Sequence, residues 1–453
     1  MATQNRMDEQ GQERWGSRAG FVLATAGSAV GLGNIWRFPS VTAENGGGAF
    51  VAVLLLVILL IGVPGLMAEL ALGRRGKRNA VDAFLAVRPG SPWAGVGVLA
   101  LLASFLVLSY YAVIAGWVLA YVVKALTGSL GGLDAAGLGE VYTALAHHAW
   151  HPVAWQASFL ALTAAVVMGG VRAGIERWSR VLMPGLIVLL ALLAGRVLLL
   201  DGAGDGVAWF LRPHWDDVGG HTLLRALGQV FFSFGLGMGV MVTYGSYLDR
   251  DEDIHRSAVY VAVADAAVAL LAGLVVIPAL FAFGLPIQGG AGLLFVTLPA
   301  VLNQMPLSAP LNVVLFVMLA IAALTSAISL LEVLVAFARS RLGLARRTTT
   351  LLAAALVFVA GVPSALAQGP YGVHVLGLDV LTLVDTVTSD VLLPLAGLLT
   401  AVFVGWVWGA GPALAELRQG AGRFPEWLWS LSVRLVIPAT VAVILAASLI
   451  GVR

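Results

Sequence analysis

Cysteine is absent from the 453 residues, which excludes a disulfide framework, a thiolate metal site and a cysteine nucleophile, and leaves the redox compartment open. Charge is nearly as scarce. Asp, Glu, Lys and Arg make up 11% of the chain against 60% hydrophobic residues, a composition foreign to soluble globular domains, so a water-soluble enzyme is excluded. The net charge of +2 is too small to hold nucleic acid. The apolar stretches contain no nucleophile, base and orienter triad, no phosphate loop and no metal cluster, so the chain reads as a non-enzyme without an organic cofactor. His147, His148 and His151 crowd together, but in a loop without a carboxylate partner, and read as no metal site.

What the sequence has in excess is apolar length. Mean hydropathy is +0.94, and apolar runs of about 20 residues recur, so the bilayer is the solvent for most of the chain. Cut at Pro, Gly and charge clusters, the spans are Phe21–Ser40, Gly48–Leu72, Pro92–Leu126, Pro152–Met168, Trp178–Leu200, Leu223–Leu248, Ala258–Phe283, Pro310–Ala338, Thr350–Leu366, Leu376–Trp408 and Leu428–Ile450, eleven helices in all. Residues 1–20 lack an apolar core followed by a cleavage signal and read as a retained tail. Lys and Arg cluster in alternate loops: Arg74, Arg75, Lys77 and Arg78, then Arg172, Arg177 and Arg180, then Arg250 and Arg256, Arg339 to Arg347, and Arg418 with Arg423. The loops between, such as Thr127 to His151, carry almost none. This asymmetry predicts a multi-pass protein of the inner (plasma) membrane with a cytoplasmic N-terminus and an outer C-terminus.

Two spans are glycine-rich at mid-membrane: Gly27 to Asn34 in the first and Ser233 to Gly239 in the sixth. Each cluster read alone fits a small-residue packing face. Taken together they open two successive five-helix blocks, and interrupted helices at corresponding positions of two halves point to a transporter site. A broken helix frees carbonyls for a cation and exposes a half-helix N-terminus to a carboxylate. Ionisable residues at membrane depth are Arg37, Glu69, Asp265, Glu332, Asp385 and Asp390, and such costly groups mark function or pairing. Asp265, in the middle of the seventh span, offers a hard carboxylate oxygen to a small cation. Thr325 and Ser326 offer hydroxyls at similar depth.

These residues carry a resemblance. Trp15-Gly-Ser-Arg18, then Gly27-Ser-Ala-Val-Gly-Leu-Gly-Asn34-Ile-Trp-Arg37-Phe-Pro39, then Asn45-Gly-Gly-Gly-Ala-Phe50 resemble the first-helix signature of the neurotransmitter:sodium symporter family. Gly62-Val-Pro64 with Glu69, Tyr110-Tyr111 with Trp117, Gln229 to Gly239, and Leu324-Thr325-Ser326 extend the likeness over nearly the whole chain. The eleven-helix length is similar to that of the family's bacterial amino-acid transporters. The resemblance implies an all-α LeuT fold of two inverted five-helix repeats, residues 21–200 and 201–408, with broken helices 1 and 6, followed by a loop and an eleventh helix over 409–453. It implies two sodium sites. The first would use Ala29, Asn34, Ser233, Asp265 and the substrate carboxylate; the second, the carbonyls of Gly27, Val30 and Ala322 with the hydroxyls of Thr325 and Ser326. All are oxygen donors, which suit sodium rather than a transition metal.

The resemblance also implies a side-chain pocket of Val107, Tyr111, Phe232, Gly235, Met238, Ser326 and Leu330, with Ser28, Leu32 and Gly33 on the substrate backbone. No acid stands at Ser28, so an α-amino acid fits better than a biogenic amine. Gly235 removes a side chain and Met238 adapts its shape, which favours bulky hydrophobic or aromatic amino acids. Asp265 replaces the family's common Asn, and Ala269 has no hydroxyl for an anion, so chloride should be dispensable. The outer gate would comprise Arg37 and Asp385 with the lid Tyr111 and Phe232. At the inner gate Trp15 is present, but Gln12 and Ser340 stand where the family carries its ion pair, and Arg14 has no evident partner. Gly174 and Pro184 match a spacing at which the family's fifth helix unwinds. The expected activity is sodium-coupled import of a hydrophobic L-amino acid by alternating access, in a lipid-embedded chain for which a homodimer stays open. A proton-coupled permease and a non-transporting amino-acid sensor are the rival readings.

Overall fold

In a computed structural model, residues 13–285, 290–372, 374–375 and 377–450 are described. Gln12 and Leu376 lie outside them. Nine helices among the described residues are long and apolar enough to cross a bilayer: Gly48–Gly76, Ala94–Leu126, His151–Met168, Val171–Val197, Ile254–Ala282, Ser308–Leu342, Arg346–Ala365, Val380–Leu417 and Glu426–Ala446. The remaining two expected spans, the first and the sixth, are each broken in two. Together they make the eleven spans that hydropathy predicts.

Local chemistry sets the ends. Ser17 opens the first span by accepting the Gly20 N–H at 2.9 Å, and Asp253 opens the seventh by accepting from Arg256 N at 2.9 Å, each satisfying a backbone donor that the first helical turn leaves without a partner. The eighth span stops at Gly343, which takes a left-handed conformation after Arg339 and Arg341 in the last turn. The tenth apolar segment runs on past Trp408 to Leu417, but its backbone turns at the expected boundary: the π-helical turn Phe403–Gly409 ends where Gly409 takes φ 94° and ψ 137°, outside the helical region, and Ala410–Leu417 follows as a short helix of its own.

The third and eighth spans pack on each other most extensively and form the centre. Two-thirds of each apolar window is buried (67%), against 28% for the eleventh, which therefore lies at the periphery. The first span packs on the fifth, seventh and eighth, and the sixth on the second, eighth and tenth. Outside the membrane-spanning set, the loops fold as short helices at Ala135–Ala146 and Ala203–Leu211 and as one antiparallel pair, His374–Val375 with Leu378–Asp379. Buried Arg74 ties the ends of spans two and ten together through Glu416, 2.8 Å away, and its other donors meet carbonyls such as that of Glu252 at 2.7 Å.

Candidate functional site

The first span is helical over Arg18–Ala29, opens at Val30 and Gly31 in extended conformations, and resumes at Leu32. Asn34 stabilises the break, its Oδ1 accepting the Gly31 N–H at 3.3 Å. Its other end reaches the seventh span. Asn34 Nδ2 donates to Asp265 Oδ1 at 2.7 Å, and the Ser233 hydroxyl donates to the same oxygen at 2.5 Å while lying 3.3 Å from the Ala29 carbonyl and from Asn34 Oδ1. Ala29, Asn34, Ser233 and Asp265, from three spans, thus form one buried cluster of oxygens. Every hydrogen-bond partner of Asp265 among the described residues is neutral. A buried carboxylate without a basic partner is costly, and the donor set fits a hard cation such as sodium.

The second cluster lies where the first span meets the eighth. The Ser326 hydroxyl faces the carbonyls of Ser28 at 3.3 Å, Val30 at 3.5 Å and Ala322 at 3.3 Å. Thr325 bonds back to its own helix, to Ile321 O and Ala322 O at 3.1 Å. Gly27 packs directly on Thr325. All five residues expected at a second sodium site are therefore adjacent.

Between the clusters is a cavity lined by Ser28, Ala29, Val107, Tyr111, Phe232, Gly235, Met238, Ser326 and Leu330, as expected, and also by Gly31, Asn34, Val240 and Ser329. Its free space is about 30 Å³, enough for a water or two, so an amino acid enters only as the lining moves apart. No acidic side chain lines it, which fits the reading against an amine ligand. Leu32 and Gly33 do not line it; Gly33 packs against the Phe232 ring. Ser329 escaped the sequence reading, although its position three residues after Ser326 puts it on the same helix face.

Residues 12–135 and 147–453 match the model of the sodium:neurotransmitter symporter family. The chain belongs to that family. It is 41% identical over 449 residues to an uncharacterized sodium-dependent transporter, YhdH, of Bacillus subtilis, covering 98% of this chain and 99% of that one. A Haemophilus influenzae sodium-dependent transporter, also uncharacterized, is 30% identical over 463 residues, covering 99% and 100%. The crystal structure of MhsT in complex with L-phenylalanine superposes with a TM-score of 0.89 at 41% identity, covering 97% of this chain and 100% of that one. The protein is a sodium-dependent symporter with the LeuT fold: two inverted five-helix repeats, broken helices 1 and 6, and an added eleventh helix.

Above the cavity of this symporter, the Arg37 guanidinium lies 5.7 Å from the centre of the Phe232 ring. Asp385 is the acid that acts most strongly on Arg37, Asp390 the next. The expected pair does not close as a direct bond; Asp385 instead accepts from the Ser389 hydroxyl at 2.9 Å. Below the cavity, Trp15 donates its indole N–H to Tyr244 O at 3.1 Å and packs edge-on against the Tyr244 ring. Arg14 does have a partner, Asp249 at 3.2 Å, on which the half-buried ammonium of Lys77 also draws, its pKa lowered by burial and held up by that acid. Ser340 bonds Asp82 at 3.2 Å.

The residue that sequence reading passed over here is Glu13. Its carboxylate accepts from Arg339 at 2.7 Å, from Arg346 at 2.9 Å and from the Val171 N–H at 2.7 Å. Arg346 continues the chain of charge to Glu332, which accepts from Tyr247 at 2.7 Å. The acid of this network thus sits on the tail and the bases on the helices. The Gly174 to Pro184 segment is a π-helical turn running into α-helix, with Met183 packed against Gly27.

Proposed function

We propose that this symporter imports hydrophobic L-amino acids, bulky and aromatic ones included, together with two sodium ions and without chloride. The observation that carries the reading is Asp265: a buried carboxylate held by Asn34 and Ser233, with oxygen donors around it and no basic side chain to neutralise it. A sodium ion supplies that charge. The second ion sits among Gly27, Val30, Ala322, Thr325 and Ser326, and the substrate carboxylate completes the first site beside Gly31 and Tyr111. Because a fixed negative charge already stands at the first site, an anion from solution is redundant.

The substrate side chain occupies the apolar part of the cavity, where Val107, Met238 and Leu330 take hydrophobic groups. MhsT, which shares the fold at 41% identity, was crystallised with L-phenylalanine, the class of ligand proposed here. Alternating access follows from two barriers: Tyr111, Phe232, Arg37 and Asp385 above, and Trp15 with the Glu13 network below. Unwinding of the fifth span near Gly174 to Pro184 opens a water path to the second sodium site. The two repeats comprise residues 21–200 and 201–408, and the protein sits in the inner membrane with its N-terminus in the cytoplasm and its C-terminus outside.

Uptake of labelled amino acids into proteoliposomes tests this. Concentrative uptake of phenylalanine or leucine that requires an inward sodium gradient and survives replacement of chloride by gluconate is expected. Accumulation driven by a pH gradient without sodium would assign the coupling to protons, and sodium-dependent binding without accumulation would make the protein a sensor.

A further inference from the structure

The floor of the cavity carries a pair of hydroxyls that the ion sites and the gates leave unused. Ser28 Oγ and Ser329 Oγ are 2.7 Å apart and both line the cavity. Which one donates follows from counting protons. A hydroxyl has one hydrogen and two lone pairs, and Ser329 spends its hydrogen on the Ser326 carbonyl at 2.7 Å. Ser28 donating to Ser329 is the arrangement that uses both protons, and it leaves Ser28 Oγ an acceptor with no proton to offer. No other hydrogen bond reaches Ser28 Oγ among the described residues.

The two ends of the cavity differ. At one end the unwound backbone at Gly31, Ser326 Oγ and the Tyr111 hydroxyl converge, a β-carbon on Gly31 lying 2.9 Å from Ser326 Oγ and 3.6 Å from the Tyr111 oxygen; this is the polar end, next to the first ion cluster. Ser329 lies three residues on, about 4.5 Å further along the same helix, with the Tyr244 hydroxyl in hydrogen-bonding reach, while Val107, Met238, Val240 and Leu330 give the cavity its apolar lining. A hydrogen-bond acceptor in an apolar pocket selects ligands that bring a donor to it, because binding a ligand without one leaves it dry and without a partner.

We propose that Ser28, oriented by Ser329, is the specificity-determining residue for aromatic amino acids carrying a ring hydrogen-bond donor, so that tyrosine and tryptophan are bound in preference to phenylalanine. This rests on the amino-acid transport reading above and names the substrate class within it.

Sodium-dependent equilibrium binding to the purified full-length protein, read by competition against radiolabelled leucine, separates the two claims. Phenylalanine displacing leucine only when sodium is present reports the parent reading; its failure takes down both. With that in hand, tyrosine is expected to bind about tenfold more tightly than phenylalanine, 4-fluorophenylalanine, an acceptor only, no better than phenylalanine, and 1-methyltryptophan, which has lost its N–H, worse than tryptophan. Ser28→Ala should bring the tyrosine-to-phenylalanine ratio to about one. Ser329→Ala frees the Ser28 proton, so 4-fluorophenylalanine should gain on phenylalanine in that variant. Equal binding of tyrosine and phenylalanine by the unaltered protein, or a ratio untouched by Ser28→Ala in a variant that still binds leucine, overturns the proposal.

Discussion

The two helix breaks that frame the site are made by different means. In the first span the chain opens at Val30 and Gly31 with ordinary extended dihedrals, φ −79° and −122°, and what keeps it open is a side chain, Asn34, bonded across to Asp265. In the sixth span the break is written into the backbone: Gly235, Gly237 and Gly239 have φ of 62°, 80° and 70°, conformations that residues with a β-carbon adopt only at a cost. One break rests on a side-chain contact to Asp265, the other on glycine backbone angles. The difference predicts ligand-sensitive movement in the first span and a fixed frame in the sixth.

If that division is right, damage to the sixth-span break should be structural and should come first in size. Gly237→Val combines a positive φ with a β-carbon placed 2.5 Å from the Leu393 carbonyl oxygen; a cost above about 3 kcal/mol is expected, seen as loss of a monodisperse peak in detergent size-exclusion chromatography. Asn34→Ala, by contrast, should leave folded protein but raise the sodium concentration for half-maximal ligand binding by about tenfold, since it removes a hydrogen bond to a charged group. A folded Gly237→Val protein with normal binding, or an Asn34→Ala protein that fails to fold, would reverse the assignment.

Smaller effects sharpen it. Asp265→Asn should abolish uptake in gluconate; if chloride alone restores it, the fixed charge is what makes the anion redundant, and recovery in both media would sink that idea. Glu13→Gln, which weakens the inner barrier without touching the cavity, should raise cysteine accessibility of a Ser246→Cys reporter severalfold in sodium while changing ligand affinity by less than about threefold. Least of all, Gly235→Ala meets only the Met238 sulfur, at 3.7 Å; a loss of about 1 kcal/mol from its φ should appear as a drop of a few degrees in melting temperature, with tryptophan affinity falling more than leucine affinity.

The fold and both clusters of oxygen donors were legible in the sequence because glycine clusters, a mid-span carboxylate and paired hydroxyls are anomalies against a uniform apolar background. Asp265 is conspicuous for that reason. Glu13 was not, since a carboxylate in a polar tail stands out against nothing, and its partners Arg339 and Arg346 lie more than 300 residues away. Ser28 was expected on the substrate backbone; its bond to Ser329 is set by how two helices pack, which periodicity within one helix does not carry. The end of the tenth span after Trp408 was legible for a local reason: Gly409, where the backbone leaves the helical region at φ 94° and ψ 137°, is a residue that hydropathy and glycine content mark as a boundary.

The Glu13 contacts also impose an order in time. Ribosomes add about 5–20 residues per second, so the tail waits on the order of 15 to 65 seconds for Arg339 and Arg346, which follow it by 326 and 333 positions. Until the start of the ninth span has been made, neither bond can form, and a newly synthesised chain truncated before that point carries Glu13 without either of these arginine partners, a physical mark that tells the unfinished chain from the finished one.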